Sequence, residues 1–559
     1  MRKKEKEGPL SVHAIAGSYV VLFGIDMEED ASAGVLGFAI ERTDHSMDDK
    51  RDWLAGFRIF KDSVPPPSGK FVTTEQHPLQ TFMWCDFTIR KNHEYTYRIV
   101  AMRGEPGNLE EGESVSVRIQ MENEDEGTHA VYFNRGVAGS QAYLRKFGNK
   151  RPEEVPDREA WRWLSRGLFR ALLNFIKQAN GSEYGLRAAV YEFNQGAVVK
   201  AFGDAAGTGA DVKVVFDARQ VINEAKPENS KLDPAKTNRE AIDKAGIEGI
   251  CTERTANPQA ISHNKFIILL KDGKPEQVWT GSTNMTDGGI FGHSNVGHIV
   301  RDPEVAVQYL KYWEKLSTDP IMDRKPENDE IRPWNEENFP VPDDLPEPNS
   351  TIAIFSPRPT LQALEWYAQR MDAAQTAVFL TAAFGVSDKF EQILSKPKDY
   401  LRYLLLESKD KNMESLLASK YNCIAVGSIL EQNKFDQWMK ERLSDLNDHV
   451  KFIHTKYMLI NPLSDDPIVI TGSANFSDAS TRRNDENMLV IRGDTRVADI
   501  YLGEFMRLYN HFKFRELANL KKALPNPDDV FLAPDDSWRL PYYEKDSVKA
   551  KEREYFAGN

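Results

Sequence analysis

Residues Phe452 to Ile491 read FIHTKYMLINPLSDDPIVITGSANFSDASTRRNDENMLVI, and the architecture of the chain follows from this stretch. Its first residues alternate as in a β-strand, which places His454 and Lys456 on one face. Two more short apolar runs follow at 468–470 and 488–491, separated by turn-forming residues. The pattern predicts adjacent short strands whose ends carry a histidine, a lysine, a serine, an asparagine and a glutamate.

The same pattern occurs earlier in the chain. His263 and Gly281 are 18 residues apart, and the same separation divides His454 from Gly472. Beyond these residues the alignment continues through Asn295 with Asn487 and EVAVQYL with RVADIYL. The repeat is far longer than the repeats of solenoid proteins. The sequence therefore predicts the duplication of a whole α/β unit.

The two copies of H-x-K and G-S-x-N resemble the motifs of the phospholipase D superfamily, over roughly Asp157 to Phe514. The resemblance implies that two α/β domains pack face to face and form one cleft at their interface. It also implies substitution at a phosphodiester through a covalent phosphohistidine. One neutral imidazole would attack phosphorus, and the other, protonated, would give a proton to the leaving oxygen.

The resemblance assigns site residues in three groups. The catalytic group is His263, His454, Lys265, Lys456 and Glu486. The group that binds the substrate phosphate is Asn284, Asn475, Ser282 and Ser473, and the supporting pair is Asn295 and Asn487. The serines support the backbone or contact phosphate and are not nucleophiles, because no G-x-S-x-G elbow surrounds them. We expect no cofactor and no metal, since side chains supply the cations.

One departure from the family pattern concerns the aspartate of H-x-K-x4-D. Leu270 and Asn461 occupy its two positions. Since that aspartate is thought to support the site more than to react, we expect the change to be tolerated. Asp272 is either a displaced substitute or a turn residue with Gly273.

A second departure is an asymmetry between the copies. The alignment places Glu486 opposite Ser294. A carboxylate beside an imidazole fixes its tautomer and stabilises the imidazolium. We therefore predict that Glu486 orients His454, whereas His263 has no evident orienter in its own repeat.

Other polar residues near the motifs have two readings each. His293 and His298 flank Asn295 and could touch the cleft, although a strand-end histidine without a role is the commoner case. The pair Arg482 and Arg483 could contact a phosphate or be solvated.

Composition sets outer bounds on the class of protein. With 559 residues, 40% hydrophobic and 28% charged, the chain should form two to four domains. It has no apolar run of the roughly 20 residues that span a bilayer, and its start lacks the apolar core of a signal peptide, so we predict a cytoplasmic protein.

Three distant cysteines cannot form a disulfide framework. The net charge of −13 argues against non-specific coating of nucleic acid.

The predicted fold is multidomain, an N-terminal β-sandwich followed by two pseudo-symmetric phospholipase D-like α/β domains with parallel-rich sheets. The predicted segments are a β-sandwich weakly resembling fibronectin type III or immunoglobulin-like modules (1–130), domain 1 (131–318), a Pro-rich acidic linker (319–350), domain 2 (351–525) and a Pro/Asp-rich tail (526–559). Helices are predicted at 432–443 and 514–524, and a surface loop at 220–236. The β-domain is a candidate for protein contacts, and no oligomeric state is predicted.

Three functions are compatible with the sequence. The favoured one is a phospholipase D-type enzyme that hydrolyses or transfers a phospholipid head group, by analogy with two-copy single chains. The alternatives are a metal-independent nuclease of the same superfamily and a non-catalytic binding protein, and the two intact H-x-K motifs argue against the latter. By the same analogy, His263 is the predicted nucleophile and His454 the acid.

Overall fold

The computed structural model describes the chain from residue 1 to residue 559 except 57, 64–71, 137–138, 220–233, 258–260, 324, 384, 408–415, 417–418, 421, 428–452 and 521–530. The predicted helix at 432–443 and most of the predicted loop at 220–236 lie outside the described residues. No helix of the described part is both long enough and apolar enough to cross a membrane.

The N-terminal part folds as two four-stranded antiparallel sheets, β1-β2-β3-β8 and β10-β9-β4-β5, which pack face to face. Alternating apolar side chains of both sheets, such as Val12 and Val117, form the core between them. The predicted N-terminal β-sandwich is confirmed. Its strands are β1 Arg2–Glu7, β2 Leu10–Ala16, β3 Val21–Met27, β4 Gly37–Asp44, β5 Lys50–Trp53, β6 Ala55–Gly56, β7 Val72–Thr73, β8 Met83–Asp86, β9 Glu94–Glu105 and β10 Asn108–Gln120.

The first α/β unit has an eight-stranded sheet in the described residues, ordered β11-β12-β18-β17-β16-β13-β14-β15. Its strands are β11 Asp125–Glu126, β12 His129–Phe133, β13 Tyr184–Val190, β14 Asp211–Asp217, β15 Cys251–Arg254, β16 Lys265–Lys271, β17 Lys274–Gly281 and β18 Val296–Val300. Its helices are α1 Ser140–Phe147, α2 Glu159–Ser165, α3 Leu168–Lys177, α4 Gly196–Gly207, α5 Pro234–Ala245 and α6 Pro303–Ser317.

The second α/β unit has a seven-stranded sheet in the described residues, ordered β19-β25-β24-β23-β20-β21-β22. A short helix, α7 Arg332–Asn338, precedes it. Its strands are β19 Thr351–Ser356, β20 Ala377–Ala382, β21 Leu401–Leu406, β22 Asn422–Val426, β23 Tyr457–Ile460, β24 Ile468–Gly472 and β25 Glu486–Arg492. Its helices are α8 Gln362–Asp372, α9 Asp388–Leu394, α10 Asp478–Arg482 and α11 Thr495–Leu520, and α12 Val548–Ala557 follows.

The two α/β sheets have the same topology, which confirms the predicted duplication in three dimensions. In each sheet, three neighbouring strands are parallel (β13, β14, β15 and β20, β21, β22) and the remaining pairs are antiparallel. The prediction of parallel-rich sheets is therefore wrong. In the first unit, helical crossovers produce parallel neighbours, whereas the tight Asp272–Gly273 turn joins β16 to β17 as an antiparallel hairpin.

The last helix of each unit joins the two units. Helix α6 contacts β17 of its own sheet and β19 of the other, and α11 contacts β23 and β24 of its own sheet and β12 of the other. Their aromatic side chains pack across the interface, as Tyr309 does on Phe355 and Tyr501 on Phe133. The two units therefore share one hydrophobic core. Helix α11 begins at Thr495 and ends at Leu520, so residues 514–520 of the helix predicted at 514–524 are the end of a longer one, and residues 521–524 lie outside the described part of the chain.

The C-terminal residues pack on the β-sandwich. Helix α12 lies against β2 and β3, and Gly24 is required there because a Cβ atom would lie 2.0 Å from the backbone carbonyl carbon of Phe556. At the other end of the chain, the Arg2 guanidinium donates to the backbone carbonyls of Pro462 and Leu463. Both ends of the described chain are thus held against folded domains.

Candidate active site

The two histidines of the motifs meet at the interface between the α/β units. His263 precedes β16, and its backbone N–H donates to the carbonyl of Asp485 at 2.9 Å. His454 precedes β23, and its N–H donates to the carbonyl of Ser294 at 3.2 Å. Each histidine is therefore held by a residue of the other unit. The ring centroids are 6.5 Å apart with the planes at 74°, so both imidazoles can act on one phosphorus atom.

Each imidazole is oriented by a side chain of the opposite unit. His263 Nδ1 lies 2.9 Å from Glu486 Oε2, and His454 Nδ1 lies 2.9 Å from Asn295 Oδ1. The prediction that Glu486 orients His454 is therefore wrong, and His263, which has no orienting side chain in its own repeat, receives Glu486 from the other repeat. The physical reason is that the units exchange their orienting side chains across the interface.

The residue-by-residue match of the repeats is also corrected. The N–H of Ser282 donates to the carbonyl of Val296, and the N–H of Ser473 donates to the carbonyl of Asn487. Val296 therefore corresponds to Asn487, and Asn295 to Glu486. Ser294 is therefore not the counterpart of Glu486. The two repeats align without a gap up to Asn295 and Glu486, and the second repeat has one extra residue after them.

The hydrogen bonds around Asn295 define the tautomer of His454. Asn295 Nδ2 donates to the carbonyl of Gly289 at 2.8 Å, and Ser282 Oγ donates to Asn295 Oδ1 at 2.8 Å. The amide oxygen therefore faces His454, whose Nδ1 carries the proton. The carboxylate of Glu486 imposes the same tautomer on His263. In both neutral rings, Nε2 is left with the lone pair that can attack phosphorus or accept a proton.

The two lysines have equivalent positions. Each ammonium donates to the backbone carbonyl of its motif histidine at 2.6 Å, Lys265 to His263 and Lys456 to His454. Both side chains are buried. Burial lowers the pKa of Lys265 to about 8. Burial, with the positive charge of Lys265 beside it, lowers the pKa of Lys456 well below its usual value.

Burial also keeps both imidazoles neutral in the empty site. It lowers the pKa of His263 to about 4, against the opposing pull of Glu486. It also lowers the pKa of His454 well below its usual value, and the charge on Lys456 acts in the same direction. An anionic phosphate placed between these groups would favour their charged forms. Substrate binding and proton uptake should therefore be coupled.

This coupling gives a first prediction. Tungstate, a tetrahedral dianion, should bind with net proton uptake at pH 8.5, because the pKa of Lys265, lowered to about 8 in the empty site, rises when an anion lies beside it. Calorimetry in buffers of different ionisation enthalpy measures the uptake, and Lys265→Met should reduce it. Lys274→Met, an exposed lysine on β17, is the control. A binding heat that does not depend on the buffer would contradict this account.

The serines of the motifs hold the adjacent strand. Ser282 Oγ accepts from the N–H of Val296, and Ser473 Oγ accepts from the N–H of Asn487. Both serines are fully buried. Their observed contacts are those of backbone support, one of the two roles that the sequence leaves open.

The motif asparagines differ between the units. Asn284 is buried, and its Nδ2 donates to the carboxylate of Glu192, while Asn475 is partly exposed. Asn487 lies behind the site, where its Oδ1 accepts from Thr280 and Tyr309 of the first unit. Asn487 thus connects the second unit to the first through hydrogen bonds.

Asn461, at one of the two positions that lack the family's aspartate, has a structural explanation, and the structure also decides the role of Asp272. Asn461 adopts a positive φ of 49°, and its Oδ1 accepts from the backbone N–H groups of Gln375 and Thr376, before β20. This oxygen supports the loop as a carboxylate could. Asp272 also has a positive φ, of 50°, and forms the β16–β17 turn, so it is a turn residue.

Sequence reasoning missed Glu192 and left open whether His293 touches the cleft. The His293 ring is 5.5 Å from the His454 ring, so His293 belongs to the site, whereas His298 is buried away from it between His129 and Tyr501. Glu192 follows β13, and the end of a parallel strand is a signal that could have identified it. Arg482 pairs with Asp478 on the exposed face of α10.

A buried ion pair positions the loop that carries Glu486. Arg254 Nε donates to Asp485 Oδ2 at 3.0 Å, and both side chains are fully buried. Arg254 also donates to Asp319 at 2.8 Å. The pair joins the end of β15 in the first unit to the residue whose carbonyl holds His263. Among the described residues, no group of three or more His, Cys, Asp or Glu side chains could hold a metal ion.

Two histidines and two lysines that converge from duplicated α/β units define a phosphodiesterase-type site. The chain belongs to the phospholipase D superfamily, and the family model for the cardiolipin synthase PLD-like domain matches residues 172–317 and 393–509. No curated protein sequence matches the chain.

Solved structures of the superfamily are similar to this chain at low identity. Nuc from Salmonella typhimurium is 24% identical, with 27% of this chain and 87% of that chain covered and a TM-score of 0.21. Phosphatidylserine synthase from Haemophilus influenzae is 11% identical, with 66% and 93% covered and a TM-score of 0.39. Yeast tyrosyl-DNA phosphodiesterase is 12% identical, with 58% and 88% covered and a TM-score of 0.32.

Proposed function

We propose that the chain is a phospholipase D-type enzyme that hydrolyses or transfers a phospholipid head group through a phosphohistidine on His263. The observation that carries the proposal is that each histidine is oriented by a side chain of the other unit. The Nδ1 atom of His263 contacts a carboxylate, whereas that of His454 contacts a neutral amide. This difference in charge beside the two rings supports His263 as the nucleophile and His454 as the acid.

In the first step, His263 Nε2 attacks phosphorus while the bond from phosphorus to the leaving oxygen breaks. The attacking ring gains positive charge, which the Glu486 carboxylate stabilises. His454, protonated when the anionic substrate binds, gives its Nε2 proton to the leaving alkoxide. Because Asn295 offers it no charge, His454 holds that proton less tightly than His263 would.

In the second step, water or an alcohol attacks the phosphohistidine. His454, now neutral, accepts the proton of the incoming hydroxyl while the bond from phosphorus to His263 breaks. Water yields hydrolysis, and an alcohol yields transfer. Throughout both steps, Lys265, Lys456 and the amides of Asn284 and Asn475 are the donors proposed for the non-bridging oxygens. These side chains supply the positive charge, so we propose that turnover needs no divalent ion.

The lipid reading is supported by the family model, whose description names a cardiolipin synthase domain. The acidic net charge of −13 also favours it over a protein that coats nucleic acid. These two observations make a phospholipid the proposed substrate.

A nuclease is the second candidate, and a cavity beside the site favours it. The cavity, of about 600 Å³, is lined by the aromatic rings of Trp161, Phe169 and Phe291 and by Arg158 and Arg162. Phe291 lies on the short segment Gly288–Gly292 between the site residues Asn284 and His293. Aromatic rings with nearby guanidinium groups are the surfaces on which single-stranded bases stack.

One assay tests the proposal and separates the two candidates. The purified chain, in excess EDTA, is incubated with phosphatidylcholine vesicles, with and without a primary alcohol, and in parallel with single- and double-stranded DNA and RNA. We expect choline release that persists in EDTA, and a transfer product when alcohol is present. Cleavage of nucleic acid alone would favour the nuclease. Activity lost in EDTA and restored by a divalent ion would contradict the mechanism.

A further inference from the structure

Glu192 brings a second carboxyl group into the first half of the site. It follows β13, and its side chain is buried. Oε2 accepts from Asn284 Nδ2, which leaves Asn284 Oδ1 beside the carboxyl group. Among the described residues, neither Glu192 Oε1 nor Asn284 Oδ1 has a hydrogen-bond partner. Two side chains that are hydrogen-bonded to each other therefore each carry a buried acceptor without a donor.

The sequence of the second repeat has no carboxyl group at the equivalent position. In the first sheet Ala188 pairs with Ile267, two residues beyond Lys265, and in the second Leu380 pairs with Met458, two residues beyond Lys456. By this register the position of Glu192 corresponds to residue 384, a phenylalanine in the sequence. The two repeats therefore differ in sequence at the position of Glu192.

A phosphate oxygen cannot satisfy these acceptors. It is itself an acceptor and carries negative charge, so a phosphate group belongs between the lysines and not against the carboxyl group. Buried acceptors without donors are costly and rare in folded proteins, so the expected occupant supplies N–H or O–H groups. Burial raises the pKa of Glu192 to about 7, while the charge of Lys265 and the Asn284 amide favour the ionised form and Asp217 opposes it. Near neutral pH a substantial part of Glu192 is thus ionised and able to bind a cation.

We propose that Glu192, together with Asn284 Oδ1, selects the alcohol substituent of the phosphodiester. These acceptors bind a hydroxyl or ammonium group that the substituent carries near the ester oxygen. The substrate class is then a phosphodiester of a diol or an amino alcohol, and the selection acts in the first half of the site. The inference rests on the proposed function for the place of the phosphate.

The test measures binding, so it does not depend on turnover. With tungstate filling the phosphate position, the affinities of ethanolamine and of 1-propanol, which matches it in length without the amine, are measured by calorimetry at pH 7.5. We expect the wild-type chain to prefer ethanolamine, and Glu192→Met to reduce that preference about 10- to 100-fold, the range for hydrogen bonds to charged groups. Glu192→Gln, which keeps an acceptor oxygen but loses the charge, should give an intermediate preference.

A control and a second arm complete the experiment. Glu183→Gln removes the same charge from an exposed position just before β13, at the opposite end of the strand, and should leave the preference unchanged. In the turnover arm, the rate of transfer to ethanolamine relative to 1-propanol should fall in the Glu192 variants. If the chain cleaves only nucleic acid, the rate of RNA cleavage relative to DNA cleavage should fall instead.

The outcomes separate the two ideas. If the wild-type chain cleaves nothing, the proposed function fails, and the binding arm still decides the role of Glu192. If the ethanolamine preference in Glu192→Gln and Glu192→Met equals that of the wild-type chain, the inference is overturned. Should Glu192→Met fail to fold, Glu192→Gln alone carries the decision.

Discussion

Replacing His263 or His454 by alanine should abolish turnover of a natural phosphodiester without unfolding the chain. His263→Ala removes the atom that forms the covalent intermediate, so the reaction path is lost. His454→Ala removes the proton donor, and general acid–base catalysis is worth a factor of about 100 to 10,000. Initial rates with matched thermal melts measure the effect. Substantial turnover in either variant at wild-type stability would contradict a two-histidine site.

An activated substrate separates the roles of the two histidines. A p-nitrophenyl phosphodiester needs no proton on its leaving group, so His454→Ala should still release one equivalent of p-nitrophenol in a burst. The reaction should then stop, with the variant held as the phosphohistidine. His263→Ala should show no burst. Mass spectrometry of the trapped protein should place the modification on His263. Modification on His454 would reverse the assignment of nucleophile and acid.

Glu486→Gln should reduce turnover by about 100- to 10,000-fold, because the positive charge that develops on His263 loses the carboxylate 2.9 Å from its Nδ1. Glutamine keeps the shape and can still accept the hydrogen bond, so the loss reports the charge. Ser294→Ala is the matched control, because Ser294 contributes only its backbone carbonyl to His454 and should retain nearly the wild-type rate.

The step affected by Glu486→Gln is informative. In burst experiments with the p-nitrophenyl substrate, the variant should slow the formation of the intermediate, since the nucleophile is weakened. A normal burst followed by slow breakdown would instead connect the carboxylate to His454 and the second step. A wild-type rate would exclude the charge of Glu486 from the mechanism.

The sequence predicted the features that are local to each repeat. The equal spacing from His263 to Gly281 and from His454 to Gly472 was enough to predict a duplicated unit, whereas the single site shared between its copies was implied by the resemblance to the phospholipase D superfamily. The alternation of apolar residues before residue 130 was enough to predict the β-sandwich. These features depend on contacts between residues that are close in sequence, and local patterns therefore report them.

The errors concern contacts between the units, the direction of strands within each sheet, and one contact between residues far apart in the sequence. Which histidine faces Glu486 depends on how the two sheets are placed, and spacing within one repeat carries no information about that placement. The parallel-rich sheets were wrong because the pattern reports strands and helices but not the direction in which a tight turn returns the chain. Glu192 was missed because its significance arises only when β13 lies beside β16 and brings it to Asn284.

The contact between α12 and the β-sandwich has a consequence for how the protein is made. His13 Nδ1 on β2 donates a hydrogen bond to the backbone carbonyl of Phe556, a residue 543 positions later in the chain. At translation rates of about 5 to 20 residues per second, roughly half a minute to two minutes separate the two on the ribosome. During that time the face of β2 and β3 that α12 covers is exposed, although the rest of the sandwich can already fold. The β-sandwich is thus synthesised before both α/β units but completed only after them, and chaperones that bind exposed sheet faces would meet it in that interval.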